Sequence, residues 1–161
     1  MKKVRLVTDG ACQGNPGPGG WAAILIYGPR RKELTGGEPH TTNNRMELKA
    51  AIEGLRALKE PCEVEIVTDS EYLKKGVTEW LPRWKRTGWE TASGQTVRNQ
   101  DLWRELDELS RRHRTRWIWT RGHADDPDNL RADQLASQAA AEQASRAKMT
   151  VQDQTDPMER G

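Results

Sequence analysis

The sequence predicts an α/β fold with a five-stranded mixed sheet, its first three strands antiparallel, flanked by helices. Three observations predict it. Three strand-like segments lie between Val4 and Glu38 on short, turn-rich connections, which suit antiparallel neighbours. After them, helical and strand-like patterns alternate, the mark of a sheet covered by helices. No repeat and no linker divides the 161 residues, a length that supports one core.

Each element has its own signal. Val4 to Thr8 is a short strand run ending at the Asp9-Gly10 turn. Cys12 to Gly20, with Gly14, Gly17, Gly19, Gly20, Pro16 and Pro18, reads as a loop. Trp21 to Tyr27 is the second strand and, after Gly28-Pro29, Lys32 to Glu38 the third. Leu48, Ala51, Ile52, Leu55 and Leu58 then recur at helical spacing, Asn44 with Glu47 forms a capping box, and Pro61 ends the helix. Val64 to Thr68 is the fourth strand, closing on Asp69-Ser70 as the first closes on Asp9-Gly10. Residues 70–79 and about 99–111 read as helical, Arg116 to Thr120 as the fifth strand, and Gly122-His123 opens a loop. Asp126-Pro127 supplies an N-cap and first position for a last helix striped by Ala132, Leu135, Ala136, Ala139 and Ala140. Apolar support fades beyond about residue 143, so the domain is expected to span 1–145 and residues 146–161 to form a disordered tail.

Composition excludes several classes. No apolar run approaches the roughly 20 residues of a membrane span, and the N-terminus lacks the apolar stretch of a signal peptide. Cys12 and Cys62 have no CxxC or zinc spacing, so a cytoplasmic setting is expected. The net charge of +2, from 26 basic and 24 acidic residues, does not by itself imply nucleic acid. Its distribution says more. Between Trp80 and Arg98, Arg83, Lys85, Arg86 and Arg98 face one acid, Glu90, with Trp80, Trp84 and Trp89 interleaved. Lys and Arg neutralise phosphates, and aromatic faces pack on sugars or bases. The plainer reading makes these Trp core anchors of a helix pair; for Trp80 and Trp84 the two roles are compatible.

Four acids carry the chemistry. Asp9 and Asp69 each follow a Thr at the end of a strand, Glu47 lies near the start of a helix, and Asp133 borders the apolar stripe of the last. If the two strands are adjacent, the Asp pair shares one sheet edge that the helical acids can approach. Clustered carboxylates repel, which raises their pKa values; a hard divalent cation removes the conflict. The bland alternatives are a turn residue for an Asp before Gly at a strand end, as at Asp9, capping partner of Asn44 for Glu47, and solvated helix face for Asp133.

The run Thr8-Asp9-Gly10-Ala11-Cys12-Gln13-Gly14-Asn15-Pro16-Gly17-Pro18-Gly19-Gly20 resembles the opening signature of type 1 ribonuclease H. Thr41-Thr42-Asn43-Asn44-Arg45-Met46-Glu47-Leu48 resembles its second motif, Thr68-Asp69-Ser70 its third, and Gly122-His123-Ala124 with Asn129 and Asp133 its fourth. The motifs stand in the expected order from residue 4 to about 140. The resemblance implies a ribonuclease H-like fold and an endonuclease that hydrolyses the RNA strand of RNA–DNA hybrids, leaving 5′-phosphate and 3′-hydroxyl ends. It implies Asp9, Glu47, Asp69 and Asp133 as metal ligands for two Mg²⁺ ions, with Mn²⁺ as a substitute, and His123 as an aid to proton transfer or product departure. Cys12, Asn15, Asn43 and Glu71 would line the RNA-facing groove, Thr42 and Asn99 would grip a DNA phosphate, and Trp80 and Trp84 would border the DNA channel. Arg83, Lys85, Arg86 and Trp89 would belong to a basic handle over about 80–98. A monomer without an N-terminal hybrid-binding module, acting on RNA primers and R-loops, is expected.

The chain departs from the family pattern in places. Asp125-Asp126-Pro127-Asp128-Asn129-Leu130 stands where Gly-His-Pro-Glu-Asn-Glu is common, Glu71 where Gln is common, and Pro82 inside the first handle helix, which it can kink or restart. Added charge beside His123 favours its protonated form. Rival readings fare worse. The glycine-rich run has the wrong spacing for a nucleotide loop and is followed by a strand. A related nuclease acting on DNA would not need Asn15 and Asn43, and a non-catalytic hybrid binder would not need all four acids.

Overall fold

The computed structural model describes residues 1–90, 94, 97–121 and 126–155, the last six by their backbone alone. Five strands form one sheet in the order β3-β2-β1-β4-β5, with β1 Lys2–Cys12, β2 Gly17–Tyr27, β3 Arg30–Thr41, β4 Cys62–Thr68 and β5 Arg114–Trp119. β1, β2 and β3 pair antiparallel, while β4 lies parallel to β1 and β5 parallel to β4. The expected mixed sheet is therefore the observed one.

Alternation along the central strands divides the core. Leu6 and Ile66 point into a cluster with Leu48, Ile52 and Leu55 of α1 (Asn43–Arg56) and Trp103 and Leu106 of α4 (Gln100–Arg111). Their neighbours Val7 and Val67 point the other way, onto Ala132, Leu135 and Ala136 of α5 (Pro127–Thr155). A period of two along a strand, met by helical stripes on both sides, places helices on both faces of the sheet.

Three boundaries differ from the sequence reading. The first three strands are longer, and Gly17 to Gly20 belong to β2 instead of a loop. Glycine is needed there for approach: a Cβ on Gly20 would overlap the backbone of Ala136 and Ala140 in α5. The cap of α1 is Thr42, whose Oγ1 accepts from Arg45 N (3.3 Å), so Asn44 lies inside the helix and no capping box forms with Glu47. Where a disordered tail is expected from residue 146, the backbone stays helical to Thr155, through a stretch rich in helix formers and free of Gly and Pro.

Two further expectations match local geometry. Asp126 Oδ1 accepts from Asp128 N (3.0 Å) and Asn129 N (3.4 Å), capping α5 ahead of Pro127. Between α2 (Glu71–Lys75) and α3 (Leu81–Thr87), Gly76–Trp80 form a π-helical turn, and Pro82 sits in the first turn of α3. Proline has no N–H to continue the preceding ladder, so the helix restarts there.

Candidate active site

The parallel register pairs Val7 with Val67, so two residues further along each strand Asp9 and Asp69 come side by side at one edge. Glu47 reaches them because of Gly10. A Cβ on Gly10 would overlap the backbone of Met46 and Glu47, so only glycine lets α1 lie this close to β1. The Gly10 N–H then donates to Asp9 Oδ1 (2.9 Å) and Glu47 Oε1 (3.1 Å). Read from sequence as a turn residue, Gly10 acts instead as a contact point between strand and helix.

Asp9, Glu47 and Asp69 each offer an oxygen within 4.8 Å of the others. Glu47 is 4% exposed, and its Oε2 has no hydrogen-bond partner among the described residues. None of the three has a Lys or Arg within ion-pair distance among those residues. Burial pushes the Asp9 carboxyl up to about 7, helped by the charges of Asp69 and Asp133. Burial also raises Glu47 well above the usual carboxylate range, with Asp9 and Asp69 adding to it. Asp69 is raised by burial and then by Asp133. Asp133 stands exposed on α5 beside buried Ala132 and Ala136; it joins the group through its charge and lies outside the tight cluster of three. His123 lies outside the described residues.

Such a donor set fits a divalent cation. Three hard oxygen donors converge, one buried oxygen is orphaned, and no Lys or Arg compensates the shared charge among the described residues. The bland readings of Asp9 as turn residue and Glu47 as capping partner do not account for this. The carboxylates stand at an open edge, whereas a cavity of about 550 Å³ lies at the other end of the sheet among Lys3, Arg5, Glu63, Glu65, Arg114 and Arg116.

The residues expected to recognise substrate fall into neighbouring groups. Asn15 Oδ1 accepts from Asn43 N (3.0 Å), fastening the turn after β1 to the start of α1. Cys12 Sγ lies within reach of two carbonyl acceptors beside them, Thr41 O (3.4 Å) and Gly17 O (3.6 Å), for its single S–H. Glu71 is exposed at the first position of α2, two residues from Asp69. Thr42 caps α1, and Asn99 precedes α4, joined to α1 by Arg45, whose Nη1 donates to Asn99 Oδ1 (3.2 Å). Arg45 also grips Asp101 with both Nη atoms (3.1 and 2.8 Å). The sequence reading assigned no role to Arg45 or Asp101. A signal existed: a cation in the first turn of a helix opposes its dipole and calls for a partner.

The handle is only partly free. Trp80, Trp84 and Trp89 run in a chain with centroids 5.8 and 6.1 Å apart, and Trp84 reaches core Trp103 at 5.7 Å. Trp84 and Trp89 thus serve as core anchors as well. Arg83 and Arg86 are exposed, with no ion-pair partner among the described residues. Lys85 instead pairs with Asp107 (2.7 Å) on α4.

Comparison with known proteins agrees with this geometry. A family model described as RNase H matches residues 1–141. A ribonuclease H of Solibacter usitatus is 63% identical over 144 residues, covering 89% of this chain and 99% of the relative. Ribonuclease HI of Pseudomonas aeruginosa is 59% identical over 141 residues, covering 88% and 95%. Among solved structures, a type 1 ribonuclease H with the type 2 active-site motif superposes with a TM-score of 0.80 at 34% identity, covering 89% of this chain and 74% of that one.

Proposed function

The chain belongs to the ribonuclease H family, and on that premise we propose that its acidic sheet edge cuts the RNA strand of RNA–DNA hybrids. The observation that carries the proposal is the trio of Asp9, Glu47 and Asp69, with oxygens within 4.8 Å of one another and no Lys or Arg paired with them among the described residues. The reaction is endonucleolytic hydrolysis leaving 5′-phosphate and 3′-hydroxyl ends. Removal of RNA primers and R-loops in the cytoplasm, by a monomer, suits it.

Asp9, Glu47, Asp69 and Asp133 would hold Mg²⁺, two ions once substrate is present, with Mn²⁺ able to substitute. Bound there, the metal supplies an activated water and charge stabilisation for the leaving oxygen. The protein's own residues do the rest. Gly10 N–H holds one oxygen each of Asp9 and Glu47, which would keep both carboxylates oriented toward a shared cation. Asn15 and Asn43, already linked to each other, face the RNA strand with Cys12 and Glu71 nearby, where contact with the 2′-OH separates RNA from DNA. Thr42 and Asn99 take a DNA phosphate. Trp80 and Trp84 wall the DNA side, and Arg83 and Arg86 contribute the handle's free charge while Lys85 and Trp89 hold it in place. His123 moves a proton or speeds product departure.

The test uses 5′-labelled RNA in a DNA hybrid, as a single strand and in an RNA duplex, each with Mg²⁺ and with EDTA. Mg²⁺-dependent cutting confined to the hybrid is the expected result. Binding without cutting would mean a hybrid-binding protein, and equal cutting of the RNA duplex would overturn the substrate assignment.

A further inference from the structure

One phenol holds the residue that starts α4. Asn99 stands in the left-handed region (φ 61°), uncommon for any residue but glycine, although Asn tolerates it better than most. Its amide is committed at both ends: Oδ1 accepts from Arg45 Nη1 (3.2 Å), and Nδ2 donates to the Tyr72 hydroxyl (3.0 Å). The same hydroxyl accepts from Trp103 Nε1 (2.9 Å). Indole nitrogen and guanidinium are donors only, so the polarity of the network is fixed. A flipped Asn99 amide would set N–H against Arg45. As it stands, one Asn99 amide hydrogen has no acceptor among the described residues. The Tyr72 ring also meets Trp80 edge-on at 5.6 Å, linking the Asn99 amide to the aromatic wall.

We propose that Tyr72 is a positioning residue for the DNA strand: its hydroxyl orients the Asn99 amide so that the free N–H stays available to a phosphate. The inference rests on the reading of Asn99 as a phosphate contact, and it adds a residue that none of the sequence motifs singled out. Tyr72→Phe removes one oxygen and keeps the ring, but it also orphans the Trp103 N–H, so a structural effect must be separated from an orienting one.

Steady-state cleavage of a hybrid is measured for wild type, Tyr72→Phe, Asn99→Ala, the double variant and Trp103→Phe, with Tm recorded for each. A lost hydrogen bond is worth roughly a fivefold change. Tyr72→Phe should therefore raise KM about fivefold with kcat held within about twofold, and the double variant should be no worse than Asn99→Ala. Trp103→Phe should lower Tm and leave KM unchanged. Multiplying effects in the double variant, an unchanged KM in Tyr72→Phe, or an equal KM rise in Trp103→Phe would overturn the orienting role while leaving Asn99 as a contact. An unchanged KM in Asn99→Ala would overturn the phosphate reading itself and the inference with it.

Discussion

Glu47 and Asp107 are two carboxylates of nearly equal burial, 4% and 5% exposed, in opposite surroundings. Asp107 on α4 sits between Lys85 (2.7 Å) of the handle and Arg111 (3.0 Å) of its own helix. Glu47 sits beside Asp9 and Asp69, with one oxygen left unpartnered. A buried charge is costly unless paired, so Asp107 reads as structure: it ties α3 to α4. Glu47 has nearly the same burial and no cationic partner among the described residues, so its carboxyl is pushed up by burial and by Asp9 and Asp69. The same contrast separates Asp101 and Asp128, which are gripped by Arg45, Arg5 and Arg31, from the acids of the sheet edge.

Substitutions can break this comparison, beginning with the largest effect. Asp69→Asn should lower hybrid cleavage roughly a thousandfold, since a lost metal ligand removes several kcal/mol of transition-state stabilisation, while hybrid binding persists. Cleavage near the wild-type rate would remove Asp69 from the site. Asp107→Ala should do the reverse. Its partners are part-exposed and can rehydrate, so the expected loss is about 1–2 kcal/mol of stability, or roughly 2–8 °C in Tm, with the catalytic rate little changed. Thermal melts and single-turnover rates on one preparation would separate the two outcomes.

The pH response sharpens the contrast. Asp9 has its carboxyl raised to about 7 by burial and by its acidic neighbours, against about 4 in an unfolded chain. The folded, metal-free protein therefore binds the extra proton between those values. Its contribution to stability is fully present below about pH 4 and is lost as pH rises through about 7. Asp9→Asn should flatten the metal-free stability curve across that window; an unchanged slope would contradict the burial argument. The smallest effect is expected at the C-terminus: removing residues 149–161 should leave activity within about twofold, because the sequence there carries no core-facing apolar pattern. Inactivity of that truncated chain would show that the tail supports the fold.

Much of this was legible in the sequence. The mixed sheet with its antiparallel opening follows from three early strands and later alternation, while the adjacency of β1 and β4 is a condition that only the structure meets. The acids announce themselves by position, two after Thr at strand ends and two at helix starts. What stayed hidden depends on contact across the sheet. The glycines of Gly17 to Gly20 look like loop residues because composition cannot distinguish freedom from close packing; α5 on β2 decides it. Asn44 and Glu47 have capping-box spacing, yet Thr42 caps and Glu47 turns to Gly10. Lys85 reads as a free phosphate contact until Asp107, 22 residues on, is seen beside it. Arg45 and Tyr72 lie within or beside the motifs, and only the structure shows that both bond the same Asn99 amide.

The sheet edge leaves its carboxylates without Lys or Arg partners among the described residues, and on the proposed reading a divalent cation completes them. Thermal unfolding of the substrate-free protein with increasing Mg²⁺, and then Mn²⁺, tests it directly, with Asp69→Asn alongside. A ligand that binds only the folded state stabilises it by RT ln(1 + [L]/Kd), so the wild-type Tm should climb with metal at neutral pH and the variant should respond far less. A wild-type Tm indifferent to both metals, or an equal rise in Asp69→Asn, would contradict the claim.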